Sequence, residues 1–153
     1  MAHLGEGEAM GEQQLPRPDE ASEAAIYVVS YIEVMAPSTP EAAATLRLYR
    51  EASHEDEDHA HLEVLQQNGR PDHFAIIEVW RNPQAFEAHG MAPHTKRFRE
   101  TLQPLLGTPY DERLHSALAI GSTQAARDEE TMYVVTHADA IPPAKDGAIS
   151  VLK

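Results

Sequence analysis

The chain has 153 residues, 25 acidic against 12 basic side chains, nine histidines, no cysteine and a formal net charge of −13. That length suits one globular domain with its own core. The missing cysteines exclude a disulfide scaffold, a thiolate metal site and a thiol nucleophile, and the acidic balance argues against nucleic acid or an anionic membrane as the main partner.

Residues 1–25 hold three glycines, two prolines and six carboxylates. They bury too little to offset their ordering entropy and read as a flexible leader. They also lack the basic start and apolar stretch of a signal peptide, and no apolar run in the chain is long enough to span a bilayer, so a cytoplasmic protein is expected. Residues 26–35 are rich in β-branched and aromatic side chains and predict a strand. Ile26, Val28, Ile32 and Val34 at even positions and Tyr27, Val29 and Tyr31 at odd ones predict that both its faces are covered. Pro37 closes the strand. Ser38 and Glu41 have capping-box spacing and Pro40 suits a first turn, predicting a helix with Ala42, Leu46, Tyr49 and Ser53 on one face. It should end in the acidic stretch 54–59.

Residues 61–67 alternate as a second strand, 68–72 form a turn, and 73–81 form a third strand. The third strand places Phe74, Ile76, Glu78 and Trp80 on one face and Ala75, Ile77 and Val79 on the other. Asn82-Pro83 opens a second helix through Phe86, Ala88 and His89. Pro93 breaks it near residues 90–92, and a further segment carries Phe98 and Leu102 before Pro104. Residues 113–120, with Leu114, Leu118 and Ile120 on one face, predict a fourth strand. The βαββαβ order is that of a ferredoxin-like α+β fold with a four-stranded antiparallel sheet and two helices.

After a polar linker over 121–131 comes a segment 132–153, of which 133–153 align without gaps to 27–47 at an offset of 106. Tyr27, Val28, Val29, Pro37, Ala42 and Leu46 recur as Tyr133, Val134, Val135, Pro143, Ala148 and Leu152. The expectation is an incomplete second repeat, the alternative a C-terminal strand, 133–141, exchanged between subunits. Two strand openings sharing Val and Tyr by propensity alone is the plain reading.

Phe74-Ala75-Ile76-Ile77-Glu78-Val79-Trp80, then Phe86-Glu87-Ala88-His89, then His94-Thr95-Lys96-Arg97-Phe98 and Leu102-Gln103-Pro104-Leu105-Leu106, resemble the antibiotic biosynthesis monooxygenase family of the dimeric α+β barrel superfamily. The resemblance covers about residues 26–120. It implies a homodimer, two sheets packing into a barrel with helices outside. It also implies a cofactor-independent monooxygenase acting with O₂ on a small quinol or phenol, in which the electron-rich, deprotonated substrate itself reduces oxygen. By that resemblance Trp80 walls the pocket and aims its indole N–H at substrate or oxygen, His89 or His94 acts as base, and Phe74, Ile76, Glu78 and Phe98 bind substrate. Family oxygenases carry a substrate-binding Asn where Ile76 stands. Haem-degrading relatives need an Asn in the first strand, where Ser30 or Tyr31 stands, so no cofactor is implied. The rival reading is a non-catalytic small-molecule binding or assembly module on the same fold.

Without the resemblance, Trp80 reads equally as a core tryptophan, and His89 and His94 as partly exposed helix histidines. Glu78 needs a partner if buried, with a His or Arg the expected one. Residues 54–61 mix three histidines with four carboxylates, but their spacing fits no metal site, and a solvated acidic loop is expected.

Overall fold

The computed structural model describes residues 25–56, 59–120 and 131–139. The expected leader, most of the linker and the chain beyond residue 139 lie outside these. Along the described chain run β1 (Ile26–Glu33), a 3₁₀ turn (Ala36–Ser38), α1 (Thr39–Ser53), β2 (His59–Gln66), β3 (His73–Trp80), α2 (Pro83–Met91), α3 (Pro93–Leu102), a second 3₁₀ turn (Gln103–Leu105) and β4 (Asp111–His115). The strands form one antiparallel sheet in the order β2-β3-β1-β4, the ferredoxin-like arrangement. Gly69 takes a positive φ of 79° in the β2–β3 turn, a conformation open to glycine at no steric cost.

Strand parity decides what meets the helices. The β1–β3 register sets Val28 opposite Glu78, Ser30 opposite Ile76 and Ile32 opposite Phe74, all buried on the helix side. Leu62 of β2 joins them, and α1 presents the expected stripe of Ala42, Leu46, Tyr49 and Ser53. Phe98 and Leu102 of α3 and Leu105 complete the core. Each fully buried large apolar side chain contributes about 1.5–3 kcal/mol by removal from water. The opposite parity, Tyr27, Val29 and Tyr31 against Val79, Ile77 and Ala75, is only half-buried in the single chain.

Two local expectations change. Ser38 does not cap α1: it closes the 3₁₀ turn with helical φ and ψ of −90° and −1°, and its side chain makes no capping hydrogen bond. A capping side chain needs extended backbone at that residue to fold back onto the first turn. The fourth strand begins two residues earlier than expected and stops at His115, with Leu118 and Ile120 past its end; these two and Leu114 within it are exposed. Its ladder runs along β1 from Tyr31↔Asp111 to Tyr27↔His115, and β1 begins at Ile26, so residues past 115 run out of β1 partners. Residues 131–139 form no regular element. They lie near β4, where Arg113 Nη1 is 3.0 Å from His137 Nε2.

Candidate functional site

Under the sheet, where β3 meets the helices, six polar side chains join in one hydrogen-bonded chain. Glu78 is its centre. Strand parity buries it, and both its oxygens accept: Oε2 from Trp80 Nε1–H at 3.1 Å, Oε1 from the Tyr49 hydroxyl at 3.0 Å. The Tyr49 oxygen lies 2.6 Å from His89 Nε2. His89 Nδ1 lies 2.6 Å from Asp56 Oδ2, and the same carboxylate oxygen is 3.1 Å from His94 Nε2. A buried carboxylate is costly unless its lone pairs are occupied, and here a phenol and an indole occupy them.

Local sequence explains why these groups converge. Tyr49 belongs to the buried stripe of α1, its ring stacked on Phe98 with centroids 3.9 Å apart. Ser53 turns its hydroxyl back onto the Tyr49 carbonyl at 2.8 Å as the helix ends. Asp56 follows in a tight turn, its N–H donating to the Ser53 carbonyl and its carbonyl accepting from His59 N–H. Asn82 caps α2 by accepting Ala85 N–H at 2.8 Å, and α2 brings His89 into its last turn. In an uninterrupted helix His89 and His94 would point about 140° apart at 3.6 residues per turn. Instead Ala92 is extended (φ −61°, ψ 144°), Pro93 restarts the helix, and the two rings come to 5.4 Å.

The residues expected to matter divide into two groups. Trp80, Glu78, His89 and His94 are brought together as members of the chain or its neighbours, with Trp80 and His89 rings 4.4 Å apart. Phe74, Ile76 and Phe98 pack in the hydrophobic core. Trp80 is wholly buried and spends its N–H on Glu78 instead of presenting it to a pocket. Glu78 takes Tyr49 and Trp80 as partners, reaching His89 only through the phenol. Two members were not among the expected site residues: Tyr49, placed only on one face of the first helix, and Asp56, read as part of a solvated loop. Asp56 had a signal, since 42, 46, 49, 53 and 56 continue one helical stripe past the end of the helix.

Burial, then the neighbouring Glu78 charge, pushes the Tyr49 hydroxyl well above the usual phenol range, so it stays a neutral donor. His59, whose ring packs 5.3 Å from Trp80, is pushed below the usual imidazole range by burial and then by His54. Its Nε2 is buried without a hydrogen-bond partner among the described residues. Thr95 Oγ1 sits 3.4 Å from both nitrogens of His89. His94 is the more accessible imidazole, its side chain 24% exposed against 3% for His89. The opposite side of the sheet carries a separate open groove of about 1330 Å³, lined in part by Tyr31, Leu65, Ala75 and residues 131–135.

Among the described residues, no helix is long and apolar enough to cross a membrane. A search of curated proteins finds no match. Solved structures with the same fold include a conserved Methanosarcina mazei protein (19% identity, TM-score 0.60, covering 64% of this chain and 97% of that one). A candidate antibiotic biosynthesis monooxygenase from Nitrosomonas europaea is similar at 19% identity and TM-score 0.60, over 63% of this chain and 92% of that one. A Mycobacterium tuberculosis protein is similar at 15% identity and TM-score 0.61, over 65% and 100%. At these identities they establish the fold alone. The sequence model of the antibiotic biosynthesis monooxygenase family matches residues 25–101, and the chain belongs to that family.

Proposed function

We propose that this protein is a cofactor-independent monooxygenase that oxidises a small quinol or phenol with O₂. The observation that carries the reading is the buried chain Trp80–Glu78–Tyr49–His89–Asp56, ending at the partly exposed His94. His94 Nε2 is held by Asp56, and its Nδ1 has no hydrogen-bond partner among the described residues. That nitrogen takes the phenolic proton, an acid–base contribution of about 10²–10⁴ in rate. The substrate anion gives one electron to O₂, and the radical pair closes a C–O bond. The resulting hydroperoxide loses water as its O–O bond breaks. For a hydroquinone the sum is quinol plus O₂ giving hydroxyquinone plus water. His89, sharing a proton with Asp56 and fixed by Tyr49, supplies positive charge opposite the developing peroxide. Trp80 and Glu78 hold Tyr49 in place and act through it.

Two copies pair through the half-buried sheet face of Tyr27, Val29, Tyr31, Ile77 and Val79, in keeping with a family that is generally dimeric. A cytoplasmic homodimer with a small aromatic substrate fits the reading. The second reading, a binding module without chemistry, is favoured by one observation: Ile76, where the family oxygenases place a polar residue, is fully buried core. Oxygen uptake with a panel of quinols in the presence of a chelator separates the two. Consumption above autoxidation that falls at least a hundredfold in His94→Ala is expected. Undiminished rates after both Trp80→Phe and His89→Ala would overturn the oxygenase reading, and quinol binding without oxygen consumption would favour the module.

A further inference from the structure

Tyr49 has one hydroxyl proton, and it goes to Glu78 Oε1. The phenol oxygen, 2.6 Å from His89 Nε2, therefore accepts from that nitrogen, which must carry a hydrogen. Nδ1 is then the His89 atom that faces Asp56 Oδ2 at 2.6 Å, while His94 Nε2 reaches the same oxygen at 3.1 Å. A ring nitrogen lone pair sits this close to a carboxylate oxygen only when positive charge lies between them. A proton supplies that charge, and so does a metal ion.

We propose that Asp56, His89 and His94 form a binding site for one divalent first-row transition-metal ion. Their three ligand atoms all lie within 4.8 Å of one another. Bonds of about 2.0–2.2 Å to nitrogen and oxygen put neighbouring ligand atoms roughly 3 Å apart. Asp56 Oδ2 stands near that spacing from both histidines. Two imidazoles and one carboxylate gathered on one side of an ion leave its remaining positions open, the arrangement that suits iron(II) and its neighbours. Magnesium and calcium, which take oxygen ligands, suit it poorly.

The surroundings are built as metal sites need them. The His89 ring is locked because its other nitrogen donates to Tyr49, whose own proton is anchored on Glu78. His89 is 4% exposed and cannot swing out of place, and Asp56 is held by backbone hydrogen bonds on both sides. His94 forms the accessible edge through which an ion enters. The site goes beyond the oxygenase reading, since these atoms would take up an ion whether or not a quinol is the substrate. An ion on His94 Nε2 leaves that ring's hydrogen on Nδ1, so an occupied site is withdrawn from the metal-free proton transfer described above.

Trp80 is the chain's single tryptophan, and its ring lies 4.4 Å from His89, so its fluorescence reports on this site alone. The test titrates Co²⁺ into the chelator-stripped full chain, with visible absorption recorded alongside. Quenching that saturates at one equivalent, reverses with EDTA and brings d–d bands of nitrogen–oxygen ligation is expected, with no response to Mg²⁺. Asp56→Asn and His94→Ala should each weaken Co²⁺ at least tenfold, while His73→Ala, remote from the cluster, should leave the affinity unchanged. His94 is a part-exposed side chain in a helix first turn, so its loss leaves the fold standing. Absence of saturable quenching up to millimolar Co²⁺, or quenching that survives both ligand substitutions, would overturn the site. Because the readout is binding, its failure leaves the oxygenase reading untouched, and failure of quinol oxidation leaves the metal site untouched.

Discussion

Replacing Tyr49 with Phe removes one oxygen atom and tests the whole buried chain. The ring stays stacked on Phe98, so no side-chain-sized cavity opens. What is lost is the partner of Glu78 Oε1 and of His89 Nε2, both on buried residues. A buried polar group left without a partner costs about 1–3 kcal/mol. Two such groups, partly relieved by local rearrangement, give a destabilisation of about 2–4 kcal/mol. For a folding unit of roughly 95 residues, each kcal/mol moves the melting temperature by about 4–8 °C, so a drop on the order of 10 °C or more is expected. Urea denaturation followed by Trp80 fluorescence measures the free energy directly, and the slope of the transition should not change. A double-mutant cycle with Glu78→Leu should show the two losses to be strongly non-additive, because each removes the same hydrogen bond. A cost below about 0.5 kcal/mol, the range of ordinary surface substitutions, would refute the reasoning. So would strict additivity with Glu78→Leu.

Further outcomes follow from the same geometry. His94→Ala should lower quinol oxidation at least a hundredfold while changing stability by less than about 1 kcal/mol, as kinetics and thermal melting on the same preparation would show. Ile77→Arg, on the half-buried outer face of β3, should convert a dimer to a folded monomer in sedimentation velocity; an unchanged sedimentation coefficient would remove that face from the interface. Tyr110 is pushed up to about 12 by burial, against the opposing pull of Arg99, whose guanidinium lies 3.9 Å above its ring. Tyr49 is raised as well. Unfolded tyrosine ionises near pH 10, so the stability these phenols contribute is fully present below about 10 and is lost as pH rises toward 12. Absorbance at 295 nm should show that Tyr110→Phe removes no ionisation amplitude below about pH 11.

Much of the fold was legible because burial imposes period 2 on strands and 3.6 on helices. The alternation from Phe74 to Trp80 revealed the helix-facing side of β3, and Ala42, Leu46, Tyr49 and Ser53 revealed the inner stripe of α1. Pro93 announced the break that brings His89 beside His94. The end of β4 was not legible, since it depends on where β1 begins and not on the apolar pattern of Leu114, Leu118 and Ile120. Of the candidate site, the histidines and Glu78 stood out by chemistry and parity. Asp56 was hidden among neighbouring carboxylates whose composition gives every sign of a solvated loop. Its place in line with the α1 stripe, and the turn pinned by the Ser53 carbonyl, single it out from them. Tyr49 was hidden for the opposite reason: a phenol on a buried stripe packs as an apolar ring, and its hydroxyl gains meaning only once Glu78 and His89 are known to lie beside it.

The most direct measurement is single-turnover oxidation of a small hydroquinone under ¹⁸O₂ by the chelator-treated full chain, with product mass and oxygen uptake recorded together. One labelled oxygen atom in the product per O₂ consumed, at a rate well above autoxidation and at least a hundredfold greater than that of His94→Ala, is the expected result. Oxygen uptake no faster than in buffer across a panel of quinols, or product without the label, would contradict the assignment of this chain as a monooxygenase.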